Sequence, residues 1–340
     1  MDSLTHIVLG SAIGEVTLGK KVGYKAAIIG ALADTVPDFD VFLNFLTNDE
    51  VLKLQIHRSF THAFIPQMLY AFPCAYLTHL AFKKKVSYWH WHLLWVLGLT
   101  THSLLDCCTT YGTQYLLPFS HTLVGFNNIN VVDIFFTLPF LALVIAFLCM
   151  KRDTPRRTKT AWAGLSYAII YILFTFGNKY YVSRHFEAEL KRQNIPSTEL
   201  STSPALFQNF LWCAIAQNND SVWLGQYSDF QKTDEIKWVP FAKNSSLLTN
   251  WPDKRSADVL LWFSQGKYFV QQQNDTLRFF NVKWGIADFR QTEAEKAVPF
   301  YFELHKEGAQ YKTEMRRMDM NKNQIWSALG ALWRRAFGLE

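Results

Sequence analysis

The sequence predicts a two-part chain: an α-helical membrane domain of about five to six helices, some short or broken, followed by a mixed, β-containing extracytoplasmic domain. Three observations lead there. Residues 59–82 and 86–105 contain no Lys, Arg, Asp or Glu, and 131–150 contain only Asp133, so each approaches the roughly 20 apolar residues a membrane helix needs. Basic clusters punctuate these stretches at short intervals. Beyond residue 178 the pattern changes to alternating apolar and polar positions separated by turn residues, the signature of paired strands. The expected domains are therefore 1–178, the helical membrane part, and 179–340, a soluble part ending in an amphipathic helix.

The elements run in order. Leu4–Leu18 is apolar but too short to cross a bilayer alone and reads as a half-inserted helix. Ala26–Leu46 has the length of a span but carries Asp34, Pro37, Asp38 and Asp40. Proline lacks an amide donor and disfavours helix in the residue before it, so a break near Val36-Pro37 is expected. Ser59–Phe82, Val86–Leu105 and Val131–Met150 read as spans, and Ala161–Gly177 as a shorter uncharged one. Tyr180–Gln193 has helical character. Val222–Trp238 and Val259–Trp284 read as antiparallel strands, with Gln265-Gly266 and Asn274-Asp275 as turns. Ile325, Trp326, Leu329, Leu332, Trp333 and Phe337 share one helical face, fit either for a membrane surface or for closing the domain core.

Composition excludes several classes. The formal charge of +6 is modest and sits partly in short loops, which argues against nucleic acid as a partner and suits membrane lipids. Five cysteines without CxxC spacing indicate neither a disulfide framework nor a thiolate zinc site. No basic region precedes the first apolar run, so no removable signal peptide is expected. Nothing in the sequence names a protein partner.

The basic clusters set an orientation. Lys20-Lys21, Lys83-Lys84-Lys85 and Lys151-Arg152 with Arg156, Arg157 and Lys159 go to the cytoplasm under the positive-inside rule. His6, the group Asp34, Asp38 and Asp40, then His57 and His62, His102 with Asp106, and Asp133 then all fall at outer helix ends. Residues 179–340 are delivered to that same face. Ionisable groups beside membrane helices are costly and are functional candidates by default.

Imidazole nitrogen with carboxylate oxygen is the donor mixture of a divalent-metal centre. His102 and Asp106, four residues apart, share a helix face. Asp38 and Asp40 share a face if their segment is extended. His57 and His62 would diverge by about 140° on a helix, so joint ligation requires a bend or an extended start. Each has a plainer reading: headgroup-layer residues for the histidines, a polar loop for the aspartates, a helix cap for Asp133. Arg58 can hold a phosphate oxygen or anchor its helix at the lipid headgroups.

Taken together, MDSLTHIVLGSAIGE, GALADTVPDFDV, HRSFTHAF, THSLLDCCTTYGTQYLLPFS and NINVVDIFFTLP, in this order, resemble the YdjM-like family of membrane-bound metal-dependent hydrolases. The resemblance is strong over roughly residues 1–150, and the polar second half looks like the longer bacterial branch of the family. It implies a motif falling on His6, Asp38, Asp40, His57, Arg58, Thr61, His62, His102, Asp106 and Asp133, with Ser59-Phe60 a mild departure. The family is also held to be distantly similar to zinc-dependent phospholipase C and P1-type nucleases, through a comparable HxxxD element.

The function expected from the sequence is a metal-dependent hydrolase of the bacterial cytoplasmic membrane, with zinc as the expected ion. His6, Asp38, Asp40, His57, His62, His102 and Asp106 are the expected metal ligands, and Asp106, Arg58 and Asp133 the expected catalytic residues. The expected substrate is a phospholipid or another phosphoester headgroup. The alternative is a non-catalytic envelope or stress-response protein with a structural metal or ionic site, since 179–340 shows no catalytic cluster. A transporter fits the broken helix at Pro37 but not ligands gathered to one side.

Overall fold

The computed structural model describes all residues except 234, 286–293, 295–297, 319–320 and 340. It divides into two compact units: Met1–Leu46, Ile56–Phe176 and Leu206–Gln208 form the first, and Thr47–Gln55, Gly177–Ala205 and Asn209–Glu340 the second.

The first unit is helical. It contains α1 (Ser3–Val22), α2 (Tyr24–Thr35), a 3₁₀ segment (Val36–Leu46), a short 3₁₀ turn (Phe60–His62), α4 (Phe64–Ala81), α5 (Tyr88–Cys107), α6 (Ile134–Leu148) and the first part of α7 (Pro155–Arg192). The helix α3 (Glu50–Ile56) lies almost wholly in the second unit. Among the described helices, α7 is long and apolar enough to cross a membrane by itself. The helix α6 is apolar but shorter, while α1, α4 and α5 have the length and fall short in apolarity.

Several expected boundaries move. The segment read as a half-inserted Leu4–Leu18 is a 20-residue helix, because Asp2 caps it by accepting from the Thr5 amide and Gly23, at φ 69, ends it. The break at Val36-Pro37 is present, but the chain continues beyond it as 3₁₀ helix rather than in an extended form. Ala161–Gly177 and Tyr180–Gln193 are parts of one continuous 38-residue helix, α7.

Glycine sets how closely the first helices approach. A Cβ on Gly10 would lie 2.2 Å from the Gly30 carbonyl oxygen, and one on Gly30 2.0 Å from that of Gly10, so α1 and α2 meet backbone to backbone. Gly98 does the same for α5, where a Cβ would sit 2.7 Å from that of Ala33. One turn beyond these contacts stand His6, Asp34 and His102. Two apolar cores flank this seam. Val8, Ile13, Phe136, Phe140 and Phe147 join α1 to α6 and α7, and Ala33, Ala75, Trp91, Trp95 and Leu99 join α2 to α4 and α5.

The basic clusters meet at the other end of the helices. Arg152 donates to the backbone carbonyls of Lys20 and Lys21, and the Lys25 ammonium lies 5.9 Å from the centre of the Phe82 ring. A buried ion pair ties α1 to α7. Arg157 forks onto Glu15 through two bonds of 2.7 Å.

Among its described residues, the second unit holds two four-stranded antiparallel sheets, each a simple meander in chain order. The first is β1 (Glu199–Pro204), β2 (Leu211–Gln217), β3 (Ser221–Ser228) and β4 (Val239–Ala242). The second is β5 (Tyr268–Gln273), β6 (Thr276–Asn281), β7 (Phe300–Glu307) and β8 (Gln310–Arg317). Between them lie α8 (Ser245–Thr249) and α9 (Lys254–Ser264), and α10 (Lys322–Ala336) comes after β8. Strands were expected from Val259, and α9 overturns that at its start. Asp253 caps the helix by accepting from the Ser256 amide, and Ala257, Leu260 and Phe263 recur every third residue on its buried face. The helix α10 places Leu332, Trp333 and Ala336 against Ala205, Leu211 and Cys213, which favours the core-closing reading of that face. Trp326 stays exposed.

Candidate metal centre

The site lies within the first unit, where the N-terminal end of α1, the C-terminal ends of α2 and α5, the 3₁₀ segment and the His57–His62 loop converge. Four side chains offer ligand atoms within 4.8 Å of one another: Asp38, His62, His102 and Asp106. The Nε2 atoms of His62 and His102 stand 3.1 Å apart. Asp38 Oδ1 lies 3.5 Å from each, and Asp106 Oδ2 lies 3.4 Å and 3.6 Å from them. His62, His102 and Asp106 are fully buried, while the Asp38 side chain is 21% exposed.

The hydrogen bonds behind these rings decide what faces inward. His102 Nδ1 lies 2.5 Å from the Asp34 carbonyl oxygen, which can only accept, so Nδ1 carries a proton and Nε2 faces the site. His62 Nδ1 pairs with the Thr61 hydroxyl at 2.9 Å, leaving its Nε2 inward as well. Asp106 Oδ2 is buried without a hydrogen-bond partner. Two imidazole nitrogens and two carboxylates facing one another call for positive charge among them, which a proton or a metal cation supplies. The donor set therefore fits a divalent ion with imidazole and carboxylate ligands.

His6 stands beside this cluster rather than in it. Its Nδ1 is 2.9 Å from Asp34 Oδ1 and its Nε2 is 3.3 Å from Asp106 Oδ1, so the imidazole bridges two buried carboxylates. Its ring stacks on that of His102 at 3.8 Å. His6, Asp34 and His102 form a second convergent group that shares the His102 ring. The sequence groups Asp34 with Asp38 and Asp40 at an outer helix end without counting it among the ligands. Its full burial, and the Thr101 hydroxyl donating to its Oδ2 at 3.2 Å, make it a central member.

Asp40 and His57 take a different place from the expected one. A 3₁₀ helix turns about 120° per residue, so Asp38 and Asp40 diverge instead of sharing a face. Asp40 accepts from the Arg58 amide at 2.7 Å, lies 3.0 Å from His57 Nδ1 and accepts from the Thr61 hydroxyl at 3.3 Å. It holds the loop that carries His62. That loop supplies the bend which two histidines five apart required: Arg58 adopts φ 55, uncommon for a non-glycine, and Phe60–His62 then form a 3₁₀ turn. His62 reaches the cluster and His57 does not; its ring lies edge-on to Tyr111.

Arg58 is buried. Its Nη2 lies 3.0 Å from Asp106 Oδ1, its Nη1 donates to the Thr109 hydroxyl at 2.9 Å, and the guanidinium sits 5.1 Å from the centre of the Tyr111 ring. The Met1 amine also contacts Asp106 Oδ1. Asp133 caps α6. Its Oδ1 accepts from the Phe135 and Phe136 amides, and the Tyr171 hydroxyl donates to the carboxylate at 3.0 Å. Of the expected site residues, then, Asp38, His62, His102 and Asp106 converge, His6 and Arg58 touch Asp106, Asp40 and His57 shape the loop, and Asp133 serves as a cap.

A family model described as YdjM inner membrane protein matches residues 1–182, the stretch that supplies every one of these side chains. The chain belongs to the YdjM inner membrane protein family. It is also 35% identical to a Bacillus subtilis (strain 168) protein described as uncharacterized protein YfhP, over 42% of this chain and 45% of that relative. The chain thus spans less than half the length of the curated relative it matches. No solved structure matches it. Membership in the YdjM inner membrane protein family and the apolar α7 identify a membrane protein with a possible metal-binding group.

Proposed function

We propose that this membrane protein is a metal-dependent hydrolase of the cytoplasmic membrane whose centre is built by Asp38, His62, His102 and Asp106 and acts on a phosphoester, most naturally a phospholipid headgroup. The observation that carries it is the pair of inward Nε2 atoms 3.1 Å apart, flanked by two carboxylates, one of which is buried with an unpartnered oxygen. Bound there, a divalent cation, zinc by its preference for imidazole and carboxylate, would supply activation of water near neutral pH. Around it the chain's own residues have distinct tasks. The Asp34 carbonyl fixes the His102 tautomer, Asp40 holds the His62 loop, and Arg58 orients Asp106 while adding positive charge where a phosphoryl oxygen would gain negative charge. Burial of three of the four ligands limits water, and Asp38, the partly exposed ligand, is the one a substrate would meet first.

The reading takes residues 1–178 as a multi-pass domain and 179–340 as extracytoplasmic. Its support is twofold. Large apolar side chains are exposed on α2, α4, α5, α6 and α7, among them Ile28, Leu69, Leu93, Ile145 and Ile169, as a lipid-facing surface requires. The basic clusters lie at the helix ends away from the centre, so positive-inside orientation puts the centre at the outer headgroup layer.

Elemental analysis of detergent-purified protein, beside His62→Ala and Asp106→Ala, tests it. Stoichiometric divalent metal lost in both variants, with phospholipid or phosphodiester cleavage by the wild type, is the expected result. A folded wild type that binds no divalent metal, or a loaded one that cleaves neither substrate class, overturns the hydrolase.

A further inference from the structure

A second site lies at the opposite end of the first unit. Three separate chain turns meet there: the α1–α2 corner, the α4–α5 loop and the α6–α7 loop. They form an open-sided cavity of about 780 Å³ lined by Lys21, Lys25, Lys83, Lys85 and Arg152, together with apolar wall residues that include Phe82. None of its described lining residues is acidic.

These cations are not simply scattered along flexible loops. Arg152 is fixed by its bonds to the Lys20 and Lys21 carbonyls and passes over Gly23, where a Cβ would stand 3.3 Å from Arg152 Cδ. Lys83 and Lys84 both adopt left-handed backbone, φ 51 and φ 58. Their turn is held by Lys83 N to Leu80 O at 2.8 Å, Lys84 N to His79 O at 3.0 Å and Lys85 N to Phe82 O at 3.1 Å. His79 Nδ1 secures the far side by bonding the Val86 carbonyl at 2.8 Å. Two successive non-glycine residues in a sparsely populated conformation are a local cost, and their turn leaves Lys83 and Lys85 on the cavity wall, with Lys84 off it. The positive-inside rule asks only for cations on a side of the membrane. Five cations drawn round one cavity, without a carboxylate to neutralise them, ask for an anion.

We infer that this cavity binds an anionic phospholipid, its phosphate held among Lys21, Lys25, Lys85 and Arg152 and its acyl chains running along Phe82 and Val86. Charge complementarity selects the anion. The apolar share of the wall selects a lipid over a soluble phosphate, and Tyr76, Leu77 and Leu80 continue that apolar surface along α4, all exposed. Basic pockets between membrane helices on the cytoplasmic side are a recurrent means of holding such headgroups. The inference rests on the multi-pass orientation proposed above and not on the metal centre.

Native mass spectrometry of the full chain, offered phosphatidylglycerol, cardiolipin or phosphatidylcholine, tests it. The wild type should retain the two anionic lipids over phosphatidylcholine. Each lining cation removed should weaken retention about five-fold, and Lys21→Gln/Lys25→Gln/Lys85→Gln together roughly 100-fold. Lys21→Arg/Lys25→Arg/Lys85→Arg should restore it. The control Lys84→Gln/Arg156→Gln/Lys159→Gln removes three cations that do not line the cavity and should retain lipid nearly as the wild type does. Equal loss in both neutralised triples, or no lipid preference in the wild type, overturns the site in favour of a diffuse surface field. Inorganic pyrophosphate displacing the lipid at equal affinity overturns the lipid assignment in favour of a soluble anion. If the neutralised triple does not fold, Lys25→Gln alone, with its about five-fold effect, decides. Metal content measured on the same samples keeps the two proposals apart, since loss of either property leaves the other standing.

Discussion

His62 and His102 face each other with their Nε2 atoms 3.1 Å apart, although one comes from a tight loop and the other from the last turns of α5. That spacing lets both nitrogens serve one ion. The expected consequence is strong, pH-dependent metal binding, because the ligands must be unprotonated. Asp106→Ala and His62→Ala should each abolish stoichiometric metal, measured by elemental analysis. Retention of metal in Asp106→Ala would place the ion elsewhere.

Asp40 acts one step back from the cluster, through the loop. Its bonds to the Arg58 amide, His57 and the Thr61 hydroxyl hold the backbone that presents His62. Asp40→Ala should therefore weaken metal affinity by about 10–100-fold without abolishing it. Competition with a chromophoric chelator measures this. An effect as large as that of Asp106→Ala would make Asp40 a direct ligand.

Gly30 and Gly10 permit contact between the α1 and α2 backbones. Gly30→Val forces those helices apart and should destabilise the helical half by at least the roughly 1–3 kcal/mol typical of overpacking. It should also separate His6 from Asp34. Thermal unfolding in detergent, followed together with metal content, should show both falling. An unchanged melting temperature would mean that the helices do not approach this closely.

The Glu15–Arg157 pair is buried on both sides, with side-chain exposures of 1% and 4%. Removing one partner strands a buried charge. Glu15→Met or Arg157→Met alone should cost about 3–5 kcal/mol, and the double variant should recover most of it. A double-mutant cycle on thermal unfolding checks the coupling; additive losses would mean that the pair is not coupled.

In the second unit, burial alone would raise the Glu303 carboxyl, but hydrogen bonds from Arg316 and Arg278 outweigh it and hold the group below the ordinary carboxylate value. A carboxylate with a depressed folded pKa contributes stability above its unfolded pKa and loses it as pH falls through the folded one. Wild type should therefore lose its margin over Glu303→Gln on acidification from neutral pH. Tryptophan-monitored unfolding across that range checks this, and parallel curves would leave the interaction without weight.

Much of the centre was legible because helical spacing is regular. His102 and Asp106 share a face as i, i+4 residues must, and an aspartate among apolar residues marked Asp34 as unusual. Backbone state was less legible. Whether Asp38 and Asp40 share a face depends on 3₁₀ against extended geometry, and Pro37 signals a break without saying what replaces the helix. The loop at Arg58 was equally hidden, since its left-handed turn depends on Asp40 and Gln114, distant partners of its amide and carbonyl. At α9, the run Leu260-Leu261-Trp262-Phe263 suits a buried strand as well as a helix, and the cap at Asp253 was the overlooked signal. Asp133 offered a capping and a catalytic reading on equal terms, and its two amide partners fill the first.

The glycine contacts at Gly10, Gly30 and Gly98 have one more effect. They lock α1, α2 and α5 into a fixed jaw that carries His6, Asp34, His102 and Asp106, whereas His62 and Asp38 ride on turns outside those helices. Accommodation of ions of different radius would then fall to the turns that carry His62 and Asp38. Hydrogen exchange that differs between zinc and manganese loading should change at residues 57–62 and leave the glycine seam still.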